Sequence, residues 1–205
     1  MKGKKFLILI IFSLFAINIF TLVRFYQLEQ LKNASEVISY SQENNKSDEL
    51  HSYMVNFTTN ILNSNIQLDS VMIKDSLSNI IPLKKAFNNG QKQILVCRFS
   101  KMHCESCVNF SIQILRKWID SIGMENVMFL GNYPNNRIFN RTKSLYGIQD
   151  MIVYNTSVLQ IPAEELGYPY FFVLDNSLRI SNVFVPDKAT PNITNKYLKN
   201  IQKKF

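Results

Sequence analysis

The chain has 205 residues, enough for one domain of ordinary size with something added. Its net charge is +8, of which Lys2, Lys4 and Lys5 supply three; the other 20 basic and 15 acidic residues are scattered, with a small cluster at Lys203-Lys204. A dispersed excess of that size is a solvated surface and argues against a nucleic-acid partner.

In chain order, the first element is the run Phe6 to Val23, "FLILIIFSLFAINIFTLV", apolar apart from Ser13, Asn18 and Thr21. Eighteen residues at a 1.5 Å rise span about 27 Å, close to the roughly 30 Å hydrocarbon core of a bilayer. The lysines before it orient the N-terminus to the cytoplasm by the positive-inside rule. A cleaved signal peptide is the rival reading. Its apolar region would be shorter, about 7–15 residues, and would end at a small-residue site that "INIFTLVRFYQLEQ" lacks. Residues 1–24 are therefore expected to be a cytoplasmic flank and an uncleaved, single-pass inner-membrane anchor, with the rest of the chain periplasmic or otherwise extracytoplasmic.

Residues 25–63 contain no Gly and no Pro. Leu28, Leu31 and Val37, then Leu50, Tyr53, Met54, Phe57, Ile61 and Leu62, recur at helical spacing around the polar break "SQENNKSDE". Two helical pieces forming a stalk or linker are expected. From residue 64 the pattern changes to short strands and turns: "IQLDSVMI" alternates, and "QILVCRF" is an apolar run of buried-strand type. "CVNFSIQILRKWIDSI" carries one apolar helical face and stops at Gly123. "NVMFLGNY" is a strand, "NNRIFNRTKSLYG" a helix begun after Pro134 and ended at Gly147, and "MIVYN" a short strand. "YFFVLD" and "RISNVFV" flank Asn176-Ser177-Leu178 as a hairpin, and "NITNKYLKNIQKKF" closes as a helix capped by Thr190 or Asn192. This order predicts an α/β domain over residues 64–205, a mixed sheet with helices on both faces.

The chain has three cysteines, Cys97, Cys104 and Cys107. A structural zinc site needs about four Cys or His ligands. Only one Cys pair is present, with His51 in the stalk and His103 adjacent to Cys104, so no metal and no other cofactor is expected. A bridge across the two-residue loop Glu105-Ser106 would stabilise the fold weakly, because closing so small a loop removes little entropy from the unfolded chain. Redox exchange suits the spacing better. At a helix start the unpaired N–H groups face the Cys104 sulfur and depress its pKa below the free value of about 8.5. Cys104 is then the nucleophile, and Cys107, one turn inside, resolves the mixed disulfide. Glu105 beside the thiolate offsets part of that depression. Cys97 and Arg98 alternate on a buried strand and point to opposite faces, which makes Cys97 a core residue.

The strand–CxxC–helix unit followed by "GYPYFFVLD" resembles the thioredoxin fold, and "IQLDSVMIKDSLSNIIPLKKAFNNGQKQILVCRF" resembles the N-terminal β extension of the membrane-anchored TlpA/ResA type. The resemblance implies a cis peptide bond at Pro169, packed beside the cysteines, with Tyr168 contacting substrate. It implies a thiol–disulfide oxidoreductase that acts on disulfides of exported proteins and draws electrons from a membrane-embedded donor. His103 stands where that family has an aromatic residue, and Arg98 where thioredoxin has a buried acid. Both join Glu105 as candidates for tuning the thiolate. A buried Arg98 also requires an acidic partner that the sequence does not name. The alternative is a non-catalytic scaffold or binding module with a permanent Cys104–Cys107 bridge. A peroxidase using a thiolate near Arg98 is a third reading, and the chain lacks the Thr or Pro that it would have before the cysteine.

Overall fold

The computed structural model describes residues 19–26, 29, 46–88 and 90–205. The chain divides into two compact units, Met1–Ser47 and Asp48–Phe205. In the first, residues 19–26 are helical and carry Ile19, Phe20, Leu22, Val23 and Phe25 exposed. These eight residues rise about 12 Å. The expected single-pass anchor, and with it the inner-membrane and periplasmic placement, is overturned: no helix among the described residues is long and apolar enough to cross a membrane. Residues 6–18 of the apolar run lie outside the described residues.

The second unit is built on a seven-stranded sheet of order β2-β1-β5-β4-β3-β6-β7. Its strands are β1 (Met72–Lys74), β2 (Ile80–Pro82), β3 (Gln93–Ser100), β4 (Val127–Asn132), β5 (Ile152–Asn155), β6 (Tyr170–Asp175) and β7 (Ile180–Phe184). β3, β4 and β5 run parallel, while the β6–β7 hairpin joins β3 antiparallel. The β1–β2 hairpin extends the other side of the sheet through β5. Side-chain alternation on β3 divides the core. Leu95, Cys97 and Phe99 enter one apolar layer, and Ile94 and Val96 enter the other.

Among the described residues of this unit the helices are α1 (residues 46–63, from Asp48 onward in this unit), α2 (Glu105–Arg116), α3 (Ile119–Ile122), α4 (Asn136–Tyr146) and α5 (Pro191–Ile201). The single helix expected to run to Gly123 is interrupted by a turn at Lys117-Trp118 after α2, and the Trp118 indole Nε1 donates to Asn195 Oδ1 of α5 at 3.1 Å. Gly123, at φ +93°, then ends α3, as only a residue without Cβ does easily. α4 begins after Pro134 and ends at Gly147 as expected; Asn135 Oδ1 caps it by accepting from Ile138 N at 2.9 Å, and Gly147 closes it in the left-handed region. α5 starts at Thr190 with Pro191 at its first position, but no side chain caps it.

The expected stalk is the main correction to the fold. From Asp48 onward α1 belongs to the compact unit, so that unit starts well before residue 64. Its buried face is polar, made of Ser52, Asn56, Thr59 and Asn63, while Leu50, Tyr53, Met54, Phe57, Ile61 and Leu62 are exposed. The reason lies in what α1 docks against, which is the outer backbone of β7. Asn60 Oδ1 accepts from Val183 N and Asn56 Oδ1 from Val185 N, at 2.9 and 2.6 Å. Four helical residues rise about 6 Å and two strand residues about 6.6 Å, so asparagines at i and i+4 match alternate amides of a strand. Beyond α1 the chain itself pairs with the rest of this edge, through Asn65 N to Ile180 O, Ile180 N to Ile66 O, and Leu68 N to Leu178 O. A register shift between Phe171 and Val173, opposite left-handed Asn182, moves the outward amides from even to odd positions.

Candidate active site

β3 ends at Ser100, and a tight turn follows in which His103 N donates to Ser100 O at 3.2 Å and Met102 N to Ser100 Oγ at 3.1 Å. The turn delivers Cys104 to the N-cap of α2, with Glu105 as the first helical residue. Cys104 is exposed and Cys107 half-buried, both as free thiols. Cys107 Sγ donates to Cys104 Sγ at 2.7 Å, and Ser106 Oγ lies 3.2 Å from the same sulfur. Lys188, in the loop after β7, donates from Nζ to Ser106 Oγ at 3.0 Å.

These neighbours set the acidities. The Cys107 thiol, the Ser106 hydroxyl and the Cys107 backbone N–H hold the Cys104 thiol down to about 7, with Lys188 adding a smaller favourable charge. Burial pushes Cys107 up, and the sulfur of Cys104 beside it pushes the same way. The two thiols thus differ in acidity, Cys104 being the more readily ionised and Cys107 the more held back. A cleft of about 440 Å³ opens on them, lined also by Tyr168, Pro186, Lys188 and residues of α1.

The remaining candidate residues are distributed around this pair. Tyr168 is exposed on the cleft, and Pro169 is buried at the start of β6. The expected cis bond is not there: no peptide bond among the described residues is cis. Gly167, left-handed at φ +71°, supplies the chain reversal into β6, and the trans form is the lower in energy by about 0.5–1 kcal/mol.

Arg98 is fully buried and its acidic partner is Glu164, with Nε donating to Oε1 at 2.6 Å. Its other nitrogens donate to Gly131 O and Ser157 O at 3.1 and 2.8 Å, and Tyr170 Oη donates to the same Glu164 oxygen at 2.9 Å. His103 is buried, and its Nδ1 has no hydrogen-bond partner. Burial drops its pKa to about 4, with Glu164 opposing and Arg98 assisting, so the ring is neutral near pH 7. Glu105 shares with His103 a separate cavity of about 230 Å³ beside Tyr133 and Tyr146. None of Arg98, His103 or Glu105 is among the groups that move the Cys104 acidity. Cys97 is buried in the core and its thiol is pushed well up by burial alone.

Two contributors, Ser106 and Lys188, escape a sequence reading. Ser106 carries a weak signal as a hydroxyl inside the CxxC loop. Lys188, 82 residues downstream, carries none. Among the described residues no three His, Cys, Asp or Glu side chains converge as metal ligands do.

No family model and no curated protein matches this chain. Solved structures do. A thioredoxin-like protein from Porphyromonas gingivalis is similar at 16% identity and a TM-score of 0.47, covering 69% of this chain and 95% of that one. A thiol:disulfide interchange protein from Bacteroides sp. is similar at 10% identity and 0.46, covering 67% and 91%. A peroxidoxin from Mycobacterium tuberculosis is similar at 10% identity and 0.49, covering 69% and 97%.

Proposed function

We propose that the chain is a thiol–disulfide oxidoreductase of protein substrates. The observation that carries this reading is the asymmetry of the pair: an exposed Cys104 with its acidity brought to about 7, in hydrogen-bond contact with a Cys107 pushed the other way. In the reducing direction the Cys104 thiolate attacks one sulfur of a substrate disulfide. The Cys104–substrate bond forms, the substrate S–S bond breaks, and the released substrate thiolate takes a proton from water. Cys107 then gives its proton back to the solvent that protonated the first substrate thiolate and attacks Cys104 Sγ. The Cys104–Cys107 bond forms, the second substrate thiol leaves, and two electrons have passed from the protein to the substrate. The donated hydrogen bonds from Cys107 and Ser106 and the charge of Lys188 stabilise thiolate on Cys104 before attack. A thiol reductant restores the pair.

The test is a redox titration of the full chain in glutathione and dithiothreitol buffers, read by thiol alkylation. A midpoint between about −120 and −270 mV with rapid exchange is expected. A midpoint below about −300 mV with slow exchange identifies a structural bridge and supports the scaffold alternative.

A further inference from the structure

One wall of the cleft over Cys104 comes from outside the CxxC unit. His51, Ser52, Val55 and Asn56 of α1 line it together with Cys104, Cys107, Tyr168 and residues 185–188. Its volume, about 440 Å³, lies in the range of about 300–1,000 Å³ found for ligand clefts. What this wall offers a substrate follows from how α1 is docked.

Asn56 occupies both main-chain polar groups of Val185, accepting from its N–H at 2.6 Å and donating to its carbonyl at 3.3 Å. Pro186 has no N–H to give. The 185–186 side of the cleft therefore presents no free backbone donor, and an extended substrate segment gains no strand-like pairing there. It is left with side chains, and the apolar ones among them are half-buried Val55, buried Val185 and Pro186, and the exposed ring of Tyr168. Ser52, Asn56, His51, Asp187 and Lys188 supply the polar lining, with Asn56 committed to Val185 and Lys188 to Ser106.

We propose that α1 forms a specificity subsite that receives an apolar side chain adjacent to the reactive cysteine of the substrate, with Val55 as the residue that sets the preference. The proposal rests on the oxidoreductase reading and adds to it a substrate class: disulfides whose cysteine has a Leu, Ile, Val or Phe neighbour. A contact of one or two methylenes with such a wall discriminates by about tenfold.

The experiment uses the full chain, prereduced, and measures the second-order rate constant for its oxidation by three disulfides, with no added reductant. Two are the symmetric disulfides of short peptides that differ only in Leu or Ser beside the cysteine. The third, hydroxyethyl disulfide, carries no neighbouring side chain and normalises each protein's intrinsic thiol reactivity. The wild-type chain is expected to oxidise about tenfold faster with the Leu peptide than with the Ser peptide. Val55→Asp is expected to bring that ratio to about one, and Val55→Ala, which adds no charge and removes only two methyl groups, to lower it by about twofold to threefold. Equal wild-type rates for the two peptides, beside a normal rate with hydroxyethyl disulfide, overturn the subsite and leave the oxidoreductase reading standing. An unchanged ratio in both variants overturns Val55 as its determinant. A wild-type chain that reacts with none of the three overturns the oxidoreductase reading and the subsite together.

Discussion

Arg98 has no exposed surface and Glu164 only 10%, so the pair is an ion pair taken out of water. Glu164→Ala removes the carboxylate that faces Arg98 Nε at 2.6 Å and leaves the guanidinium with two neutral carbonyls, Gly131 O and Ser157 O. The same change strips Tyr170 Oη of its acceptor. Removing one partner of a buried pair costs about 3–5 kcal/mol, because the surviving charge stays desolvated without compensation. In a chain of this size each kcal/mol moves Tm by about 2–4 °C, so a fall of about 6–20 °C is expected. Urea unfolding followed by the fluorescence of Trp118, the chain's single tryptophan, measures the loss of stability, and thermal unfolding followed the same way measures the fall in Tm. Glu164→Gln keeps an acceptor oxygen for Arg98 and Tyr170 and should recover part of the loss, while Arg98→Met with Glu164→Leu, which removes both charges, should cost less than Glu164→Ala alone. A loss below about 1 kcal/mol for Glu164→Ala would refute the reasoning, since Arg98 would then have found water or another partner.

Three other perturbations test the site and its supports. Alkylation of Cys104 follows the thiolate, so its rate should rise with pH around a midpoint of about 7; Ser106→Ala and Lys188→Met each remove a group that holds the acidity down, and should move that midpoint up toward the free-thiol value of about 8.5 and slow the reaction at pH 7. An unmoved midpoint in both variants would contradict the geometry. Asn56→Ala leaves the Val185 N–H and carbonyl without partners at a cost of about 1–3 kcal/mol each, and amide hydrogen exchange should quicken at Val185 while Val183, held by Asn60, stays protected. Gly131→Ala sets a Cβ 2.4 Å from Phe139 Cε2, an overpacking expected to cost about 1–3 kcal/mol in the same unfolding assay.

Where local chemistry decides structure, the sequence was readable. β3 is a mostly apolar run that carries Arg98, Pro134 and Gly147 bound α4, and the two cysteines sit where that run gives way to helical periodicity. The reading of α1 fails for a specific reason. Its period is helical, but its apolar stripe, Leu50 to Leu62, faces outward, and the face that packs consists of Ser52, Asn56, Thr59 and Asn63. Asparagine side chains reaching for strand amides more than 120 residues away leave no apolar signature. The same holds for the site. Arg98 demands an acid by its position on a buried strand, yet Glu164 is 66 residues on and reads locally as one of two acids in a short 3-10 turn. Lys188 reaches the cysteines only because the β6–β7 hairpin turns its loop back toward the start of α2.

The cover over β7 bears on how this protein can be handled and cut. A chain beginning at residue 64 retains the CxxC unit, the Arg98–Glu164 pair and the whole sheet. It nevertheless loses Asn56 and Asn60, and with them the partners of the Val185 and Val183 amides. Those amides then become a ready template for a strand from another molecule. Such a shortened chain should dimerise or aggregate with concentration where a chain that keeps residues 48–63 does not. The asparagines of α1 thus make this helix the selvedge of the sheet, the finished border that keeps a woven edge from taking up another thread.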